Sequence, residues 1–255
     1  MSSTPEPGSG TAHFGSRLVP ESEKGRLVRG VFESVADRYD LMNDLMSGGL
    51  HRLWKASLVD SLAPRPGMRL IDVAGGTGDI AFRFLKASAG GGHVTVVDIN
   101  EAMLGVGRRR FARAPVPGGI EWLCGDAEAL PVAGRRFDAY TIAFGIRNVT
   151  HRDRALAEAR RVLAYGGRFL CLEFCPRLAL PLLDRLYDRY SERVIPTLGR
   201  WIAGDADSYV YLVESIRRFP PPEAFAEEIA AAGFGRVGHR LLSGGVCAIH
   251  SAWKI

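Results

Sequence analysis

The sequence predicts one α/β domain built on a mostly parallel sheet, and three observations predict it. Apolar strand-like segments alternate with helical segments along the middle of the chain, which is typical of βαβ units. A glycine-rich turn follows the first of these strands and opens a helix. Two strand-like segments joined by Ser-Gly-Gly end the chain and predict an antiparallel hairpin. The length of 255 residues, of which 47% are apolar, allows one sizeable core.

The first part of the chain predicts a tail and then a helical lid. We assign residues 1–23 to an N-terminal tail and residues 24–255 to a single domain that begins with the lid, 24–64. Apolar residues recur there at helical spacing, and Gly48-Gly49 separates two helices. The apolar positions are Val28, Val31, Phe32, Val35 and Tyr39 in the first helix, and Leu50, Leu53, Trp54, Leu58 and Leu62 in the second.

Five strands and the helices between them follow in order. The predicted strands are 70–74, 94–97, 120–124, 138–144 and 168–174, and the predicted helices are 79–87, 101–113 and 152–163, with Gly166-Gly167 ending the last. Residues 181–232 predict further helices, broken at Pro196 and at Pro220-Pro221-Pro222. The terminal hairpin, with strands 236–242 and 246–253, places one antiparallel strand in an otherwise parallel sheet.

The glycine-rich turn, Asp72-Val73-Ala74-Gly75-Gly76-Thr77-Gly78-Asp79, indicates a site for a nucleoside. Its glycines allow close approach of the backbone to a ligand, and the helix N-terminus presents free N–H groups. Asp98 follows Gly78 by 20 residues at the end of the second strand, where its carboxylate can accept ribose hydroxyls. Asp126 ends the third strand and can reach an adenine amino group. Residues 76–81 also fit the G-x-G-x-x-G/A fingerprint, so an NAD-dependent oxidoreductase stays open.

The wider pattern resembles class I S-adenosylmethionine-dependent methyltransferases. Like them, the chain combines an acidic, glycine-rich loop with a ribose acid, Asp98, and an adenine acid, Asp126. Ala74 departs from the pattern, because a glycine usually stands there. The resemblance implies a Rossmann-like α/β fold with a mostly parallel seven-stranded sheet, and S-adenosylmethionine as cofactor.

A closer resemblance, to the bacterial ubiquinone/menaquinone biosynthesis C-methyltransferases, covers residues 12–255. It is carried by His13-Phe14-Gly15 and by the segments 39–54, 144–150, 161–174 and 204–217. It implies C-methylation of a polyprenyl hydroquinone, either 2-polyprenyl-6-methoxy-1,4-benzoquinol or demethylmenaquinol or both, with acceptor-side helices in 178–232. The cofactor contacts carried over by position are Thr77, Asp98, Asp126, Ala127 and Ala143, and the loop argument adds Gly76 and Gly78.

Arg147 and Asn148 are the predicted catalytic pair. They follow the fourth strand, where substrate-facing residues lie in open α/β sheets. A hydroquinone must lose a phenolic proton before its ring carbon attacks a methyl group. Arg147 is too basic to take that proton, so we assign it to stabilising the phenolate and Asn148 to orientation. The alternative is that Arg147 forms a structural ion pair with Asp153 or Glu173.

The remaining reactive residues add one secondary role and no further class of partner. His51 and Tyr39 of the lid are secondary candidates for proton transfer. The basic runs Arg108-Arg109-Arg110 and Arg217-Arg218 lie on predicted helices without interleaved aromatic residues, so nucleic acid is not an expected partner. Four cysteines without a CxxC pattern predict neither disulfides nor a metal site.

Partners and compartment follow from the implied lipid substrate. The formal net charge of +5 is compatible with a membrane surface, and we expect peripheral contact through 24–62 and 178–218. The N-terminus lacks the basic and apolar regions of a signal peptide, so we expect a cytoplasmic protein at the inner face of the cell membrane. A homodimer, a quinone-synthesis complex and a non-catalytic S-adenosylmethionine-binding scaffold stay open.

Overall fold

The computed structural model of the protein describes residues 10–35, 44, 47–89, 91–177 and 206–255. Its strands are β1 (Thr11–Phe14), β2 (Arg17–Pro20), β3 (Arg69–Val73), β4 (His93–Asp98), β5 (Gly119–Cys124), β6 (Phe137–Ala143), β7 (Leu163–Phe174), β8 (Gly235–Leu242) and β9 (Cys247–Trp253). Its helices are α1 (Glu21–Val35), α2 (His51–Leu62), α3 (Asp79–Ala87), α4 (Glu101–Arg113), α5 (Arg152–Val162), α6 (Ala206–Arg218) and α7 (Pro222–Ala231). All five predicted central strands and the three helices between them are present.

Seven of these strands form one sheet in the order β5-β4-β3-β6-β7-β9-β8. The first five are parallel, and β9 lies antiparallel between β7 and β8. The predicted fold class, a mostly parallel sheet with a terminal antiparallel hairpin, is therefore confirmed. The strand order reverses between β3 and β6, so the connections after these two strands diverge and leave a crevice at their carboxyl ends.

Apolar side chains fill both faces of the sheet. On one face, Trp54 and Leu58 of α2 and Phe84 of α3 are buried. On the other face, Phe225 of α7 packs in a cluster that includes Phe169 of β7. Burying a side chain of this size contributes about 1.5–3 kcal/mol. Because helices cover both faces, the carboxyl edge of the sheet is left as the place for a ligand.

The second lid helix, α2, belongs to the core rather than to a cover over the crevice. Trp54, Leu58 and Leu62 are buried as predicted, but Leu53 is 65% exposed and Leu50 is 41% exposed. The prediction that these two leucines share the buried face is wrong. A helix turns by about 100° per residue, so Leu53 points away from the face that the three buried residues share. Leu50 precedes the helix.

A β-hairpin that the sequence analysis did not predict occupies residues 11–20, inside the assigned tail. β1 and β2 pair through the two-residue turn Gly15-Ser16, and Gly15 takes the positive φ of 58° that glycine tolerates. Strands of four residues are too short to show a clear period, although Gly-Ser between them is a hairpin signal. The ring of Phe14 stacks on that of Tyr211 in α6, with centroids 4.4 Å apart. The hairpin is therefore held by a tertiary contact.

The boundary between α5 and β7 also differs from the prediction. The helix ends at Val162 and the strand begins at Leu163, so Gly166-Gly167 lie inside the strand instead of ending the helix. The N–H of Gly166 donates to the carbonyl oxygen of Lys254 at 2.8 Å. Pairing with the end of the chain thus extends the strand.

Several predicted features lie outside the described residues. They include Tyr39, the side chains of Phe32 and Val35, the break at Pro196 and the segment 178–205 of the expected acceptor-side helices. In the described part of that region, α6 and α7 are separated at the predicted proline run.

Candidate active site

The glycine-rich turn joins the end of β3 to the start of α3 at Asp79. A Cβ on Gly75 would lie 2.7 Å from Cγ1 of Val96 and 2.8 Å from Oδ2 of Asp72, so glycine is required there. Ala74 takes a positive φ of 50°, which costs a residue with a Cβ about 1–2 kcal/mol and explains why glycine is usual at this position. Close packing therefore shapes the loop.

Thr77 and Gly78 face the protein interior and not the cavity side of the loop. Thr77 is buried, and its Oγ1 accepts a hydrogen bond from Nη1 of Arg110 at 3.1 Å. A Cβ on Gly78 would lie 2.6 Å from the ring of Trp122. In the described structure both residues support the loop through α4 and β5, and their roles as cofactor contacts stay predictions.

A cavity opens at the carboxyl ends of β3, β4, β5 and β6. The predicted site residues in its wall are Gly76, Asp98, Asp126, Ala127 and Asn148. Ala143 and Arg147 lie outside this wall, as Thr77 and Gly78 do. Ligands of open α/β sheets bind outside the carboxyl ends of the strands, so this is the candidate cofactor cavity.

Part of the cavity wall comes from residues that the sequence analysis did not assign. They are Gly25, Val28 and Arg29 of α1, and Asn100 and Met103 at the start of α4. Oδ1 of Asn100 accepts hydrogen bonds from two backbone N–H groups of the first turn of α4, at 3.0 and 3.2 Å. This N-cap lies two residues after Asp98, and the sequence could have predicted it, because asparagine is a preferred residue directly before a helix. No pattern along α1 indicated its contact with the cavity, because that contact depends on how the helix packs.

The backbone holds the carboxylate of Asp98 at the end of β4. Its Oδ2 accepts a hydrogen bond from the N–H of Gly76 and its Oδ1 from the N–H of Asn100, both at 2.8 Å. Burial raises the pKa of Asp98 to about 6, and these two N–H groups oppose the rise. The carboxylate therefore joins the glycine loop to β4, and its remaining lone pairs can accept the hydroxyls of a ribose.

Asp126 lies exposed at the rim, in the loop after β5. Its Oδ1 accepts a hydrogen bond from the N–H of Glu128 at 2.9 Å. Oε1 of Glu128 in turn accepts from the N–H groups of Thr150 and His151, each at 2.9 Å. Glu128, which the sequence analysis did not single out, thus ties the loop of Asp126 to the start of α5.

Asp72 is a buried carboxyl group beneath the loop. Its Oδ1 accepts a hydrogen bond from the hydroxyl of Thr141 at 2.8 Å, and none of the described residues bonds to its Oδ2. Burial raises the pKa of Asp72 to about 7. In its ionised form it adds negative potential beneath the loop, which favours a cationic ligand above it.

Arg147 lies in a short 3-10 turn after β6, Ile146–Asn148, and forms a buried ion pair. Its Nη1 lies 3.0 Å from Oε1 of Glu173, and the two side chains are 4% and 0% exposed. Its Nε donates to Oγ of Ser215 at 3.3 Å, and its Nη1 donates to the carbonyl oxygen of Phe144. Burial raises the pKa of Glu173, and the charge of Arg147 opposes the rise. These contacts favour the ion-pair alternative, with Glu173 as the partner.

Asn148 lines the cofactor cavity from the same turn, and its Oδ1 lies 2.9 Å from the hydroxyl of Tyr211. A second cavity lies between the N-terminal hairpin, α1 and α6. Val149 and Thr150 border both cavities. The segment after β6 therefore forms a wall between the two spaces.

His51, the secondary candidate for proton transfer, starts α2 and is buried. Its Nε2 lies 2.9 Å from Oδ1 of Asp44, and its backbone N–H donates to Oγ of Ser47 at 3.1 Å. Burial lowers the pKa of His51, which favours the neutral ring. It does not line the cofactor cavity, so its contacts are those of a residue that anchors the start of α2.

Sheet order and site together define the class of the protein. An open parallel sheet with an antiparallel β9, a glycine loop after β3 and an acid at the end of β4 are the features of class I S-adenosylmethionine-dependent methyltransferases. A solved S-adenosylmethionine-dependent methyltransferase from Aquifex aeolicus shares the fold, with a TM-score of 0.58 and 17% identity over 84% of this chain and 97% of that one. The model of the ubiE/COQ5 methyltransferase family matches residues 19–254, and the chain belongs to that family.

Curated relatives match almost the whole chain. One from Methylobacterium nodulans is 63% identical over 95% of this chain and 96% of its own length. Another, from Cereibacter sphaeroides, is 58% identical over 97% of this chain and 98% of its own. Both are named ubiquinone/menaquinone biosynthesis C-methyltransferase UbiE. The predicted family, C-methyltransferase class and cofactor are confirmed, and these relatives do not support an NAD-dependent oxidoreductase or a scaffold.

The described residues fit S-adenosylmethionine. Gly76 presents no side chain to the cavity, and a Cβ there would lie 3.1 Å from Cε of Met103. The carboxylate of Asp98 faces the same space, and Ile99 and Ala127 add apolar wall on which a purine can pack. Gly76, Asp98, Asp126 and Ala127 would thus hold the nucleoside part.

Cofactor affinity is expected to rise with pH between about 5 and 8. Burial raises the pKa of Asp98 to about 6, and ribose hydroxyls bind best to an ionised acceptor. Burial raises the pKa of Asp72 to about 7, and its ionised form favours the cationic sulfonium of S-adenosylmethionine through its negative potential. The affinity for S-adenosylmethionine should therefore be lowest when both acids are protonated and should level off above the higher pKa. Calorimetric titrations across this range check the expectation. Asp98→Asn should flatten the lower part of the curve, and an equally steep curve in that variant would contradict the assignment to Asp98.

Proposed function

We propose that the protein transfers a methyl group from S-adenosylmethionine to a ring carbon of a polyprenyl hydroquinone. The acceptor is 2-polyprenyl-6-methoxy-1,4-benzoquinol, demethylmenaquinol or both. The observation that carries the proposal is the 63% identity, over 95% of the chain, to a relative named as a ubiquinone/menaquinone biosynthesis C-methyltransferase. The cavity lined by both Asp98 and Asn148 supports it, because a methyl donor and an acceptor must meet at the carboxyl edge of the sheet.

The chain's own task is to make the acceptor nucleophilic. The cofactor, when bound, supplies an electrophilic methyl group that the protein need not activate. A hydroquinone is a phenol with an unperturbed pKa of about 10, and lowering it by three units takes about 4 kcal/mol of differential stabilisation. Fixed donors and positive charge beside the phenolate oxygen, in a site that excludes water, supply stabilisation of this kind.

We assign this stabilisation to Asn148 and Arg147. Asn148 lines the cofactor cavity, so its carboxamide is placed to hydrogen-bond and orient the phenolate oxygen. The guanidinium of Arg147 is already bonded to Glu173, so Arg147 contributes its charge from behind the cavity wall and does not need to touch the acceptor. A guanidinium does not act as a base, and its role is therefore electrostatic.

A comparison of acceptors tests the function. The full-length protein is supplied with S-adenosylmethionine and, in separate reactions, with a methoxy-benzoquinol precursor and demethylmenaquinol in detergent. We expect methylation at a ring carbon of at least one of them, and the ratio of the two kcat/KM values assigns the pathway. A preparation that binds S-adenosylhomocysteine but methylates neither quinol would contradict the proposal.

We also propose peripheral membrane contact, since the acceptor carries a lipid tail. The proposed contact surface comprises residues 24–62 and 178–218. In its described part, Leu53 of α2 and Val210 of α6 are exposed apolar side chains. Among the described residues, no helix is both long and apolar enough to cross a bilayer. The full-length protein should sediment with anionic vesicles at low salt, and failure to do so with or without quinol would argue against contact. The proposed homodimer and quinone-synthesis complex need separate tests. The sedimentation rate of the protein without vesicles tests the homodimer, and its change when a cell extract is added tests the complex.

A further inference from the structure

The phenol of Tyr211 connects the N-terminal hairpin to the predicted catalytic turn. Tyr211 belongs to α6 and is 5% exposed, and its hydroxyl lies 2.9 Å from Oδ1 of Asn148. Its ring stacks on Phe14 of β1 with an interplanar angle of 22°. Neither Tyr211 nor the hairpin has a role in the function proposed above, so their contact with Asn148 needs its own explanation.

The hydrogen bond between Tyr211 and Asn148 has one direction. Burial raises the pKa of the Tyr211 phenol, so the hydroxyl stays protonated and donates. Oδ1 of Asn148 is the acceptor that the described residues place within hydrogen-bond distance. A reversed amide would leave the buried hydroxyl proton without that acceptor, which is costly. The amide oxygen therefore faces Tyr211, and the amide nitrogen faces away from it.

We infer that Tyr211 is a positioning residue, which fixes the carboxamide of Asn148 so that its NH₂ group is presented to the acceptor oxygen. The inference rests on the proposed function, because it assumes that a phenolate forms beside Asn148. Among the described residues, none accepts a hydrogen bond from the amide nitrogen of Asn148, and Asn148 lines the cofactor cavity. Its two N–H donors are therefore left for an anionic oxygen.

The hairpin makes this arrangement rigid before the acceptor binds. The N–H of Ser16 donates to Oε2 of Glu214 on α6 at 2.7 Å, and the guanidinium of Arg218 lies 2.9 Å from Nδ1 of His13. Together with the ring of Phe14, these contacts fix α6 and the rotamer of Tyr211. A donor held in place costs no reorganisation during the reaction, which is the condition for stabilising a developing charge.

Tyr211→Phe tests the inference, because it removes the hydroxyl and keeps the stacked ring. We expect the single-turnover rate of methyl transfer to fall about tenfold, the effect of losing one hydrogen bond, while KM for the quinol and the affinity for S-adenosylhomocysteine change less than about twofold. Asn148→Ala should lower the rate by more than about tenfold, and adding Tyr211→Phe to Asn148→Ala should lower it no further. Tyr165→Phe, on an exposed tyrosine, is the control and should leave the rate unchanged.

Melting temperatures of the wild type, Tyr211→Phe, Asn148→Ala and the double variant provide a readout that does not depend on activity. If the hydrogen bond exists, the stability loss from Tyr211→Phe should largely disappear in the Asn148→Ala background. A positioning role is supported if both the rate loss and the stability loss from Tyr211→Phe largely disappear in the Asn148→Ala background. If only the stability loss disappears there and Tyr211→Phe alone keeps the wild-type rate, Tyr211 is structural and the inference is overturned. Losses of rate and of stability that simply add in the double variant would also overturn it. If the wild-type protein binds S-adenosylhomocysteine but methylates no quinol, the proposed function fails instead.

Discussion

Arg147→Ala is expected to lower the rate of methyl transfer by about 10²–10³, the usual effect of removing one group that stabilises a developing anion. It should also destabilise the fold by about 3–5 kcal/mol, because Glu173 is left as an unpaired buried carboxylate. Single-turnover assays and thermal unfolding, with cofactor affinity recorded for each variant, measure the two effects. A rate near that of the wild type would make Arg147 a structural residue only.

The pH dependence of this variant has a defined sign. Burial already raises the pKa of Glu173, and removing Arg147 takes away the charge that opposes the rise. A carboxyl group whose pKa is higher in the folded state favours folding while it is protonated. The free energy of unfolding of Arg147→Ala should therefore fall as pH rises from the ordinary glutamate pKa of about 4.3 through the raised value.

A double substitution separates stability from chemistry. Arg147→Gln combined with Glu173→Gln removes both charges and keeps two side chains that can hydrogen-bond, so it should recover most of the stability. We expect its methyl-transfer rate to stay at least about tenfold below that of the wild type, since the positive charge beside Asn148 is lost. Recovery of the full rate would show that Arg147 acts only by balancing Glu173.

Asp98→Ala is expected to weaken binding of S-adenosylhomocysteine by about 1.5–3 kcal/mol, or about 10–150-fold, since it removes a charge-assisted acceptor for the ribose. Part of this loss should come from the glycine loop, because Asp98 also accepts the N–H of Gly76. Isothermal titration measures the affinity. Asp138→Ala is the matched control, since Asp138 bonds to the backbone N–H of Arg69 at the opposite edge of the sheet. Unchanged affinity in Asp98→Ala would remove Asp98 from the ribose site.

The sequence alone predicted the parts of this protein that depend on local pattern. The βαβ units were readable because buried strands and amphipathic helices have different periods. The glycine loop, Asp98 and Asp126 could be grouped into one site, because each follows a strand and the carboxyl ends of parallel strands meet at one edge. The resemblance to the methyltransferase family rested on the same short segments, and the family match over residues 19–254 confirmed it.

Only the tertiary structure decided which buried groups are partners. Arg147 and Glu173 are 26 residues apart and meet because β6 and β7 are neighbours in the sheet, which selected one of two carboxylates that the sequence left open. Tyr211 and Asn148 are 63 residues apart and meet because α6 packs beside the turn after β6. The local period of a segment says which of its faces is buried. What lies against that face depends on how distant surfaces fit together, and a buried polar group takes whichever partner that fit brings within hydrogen-bond distance.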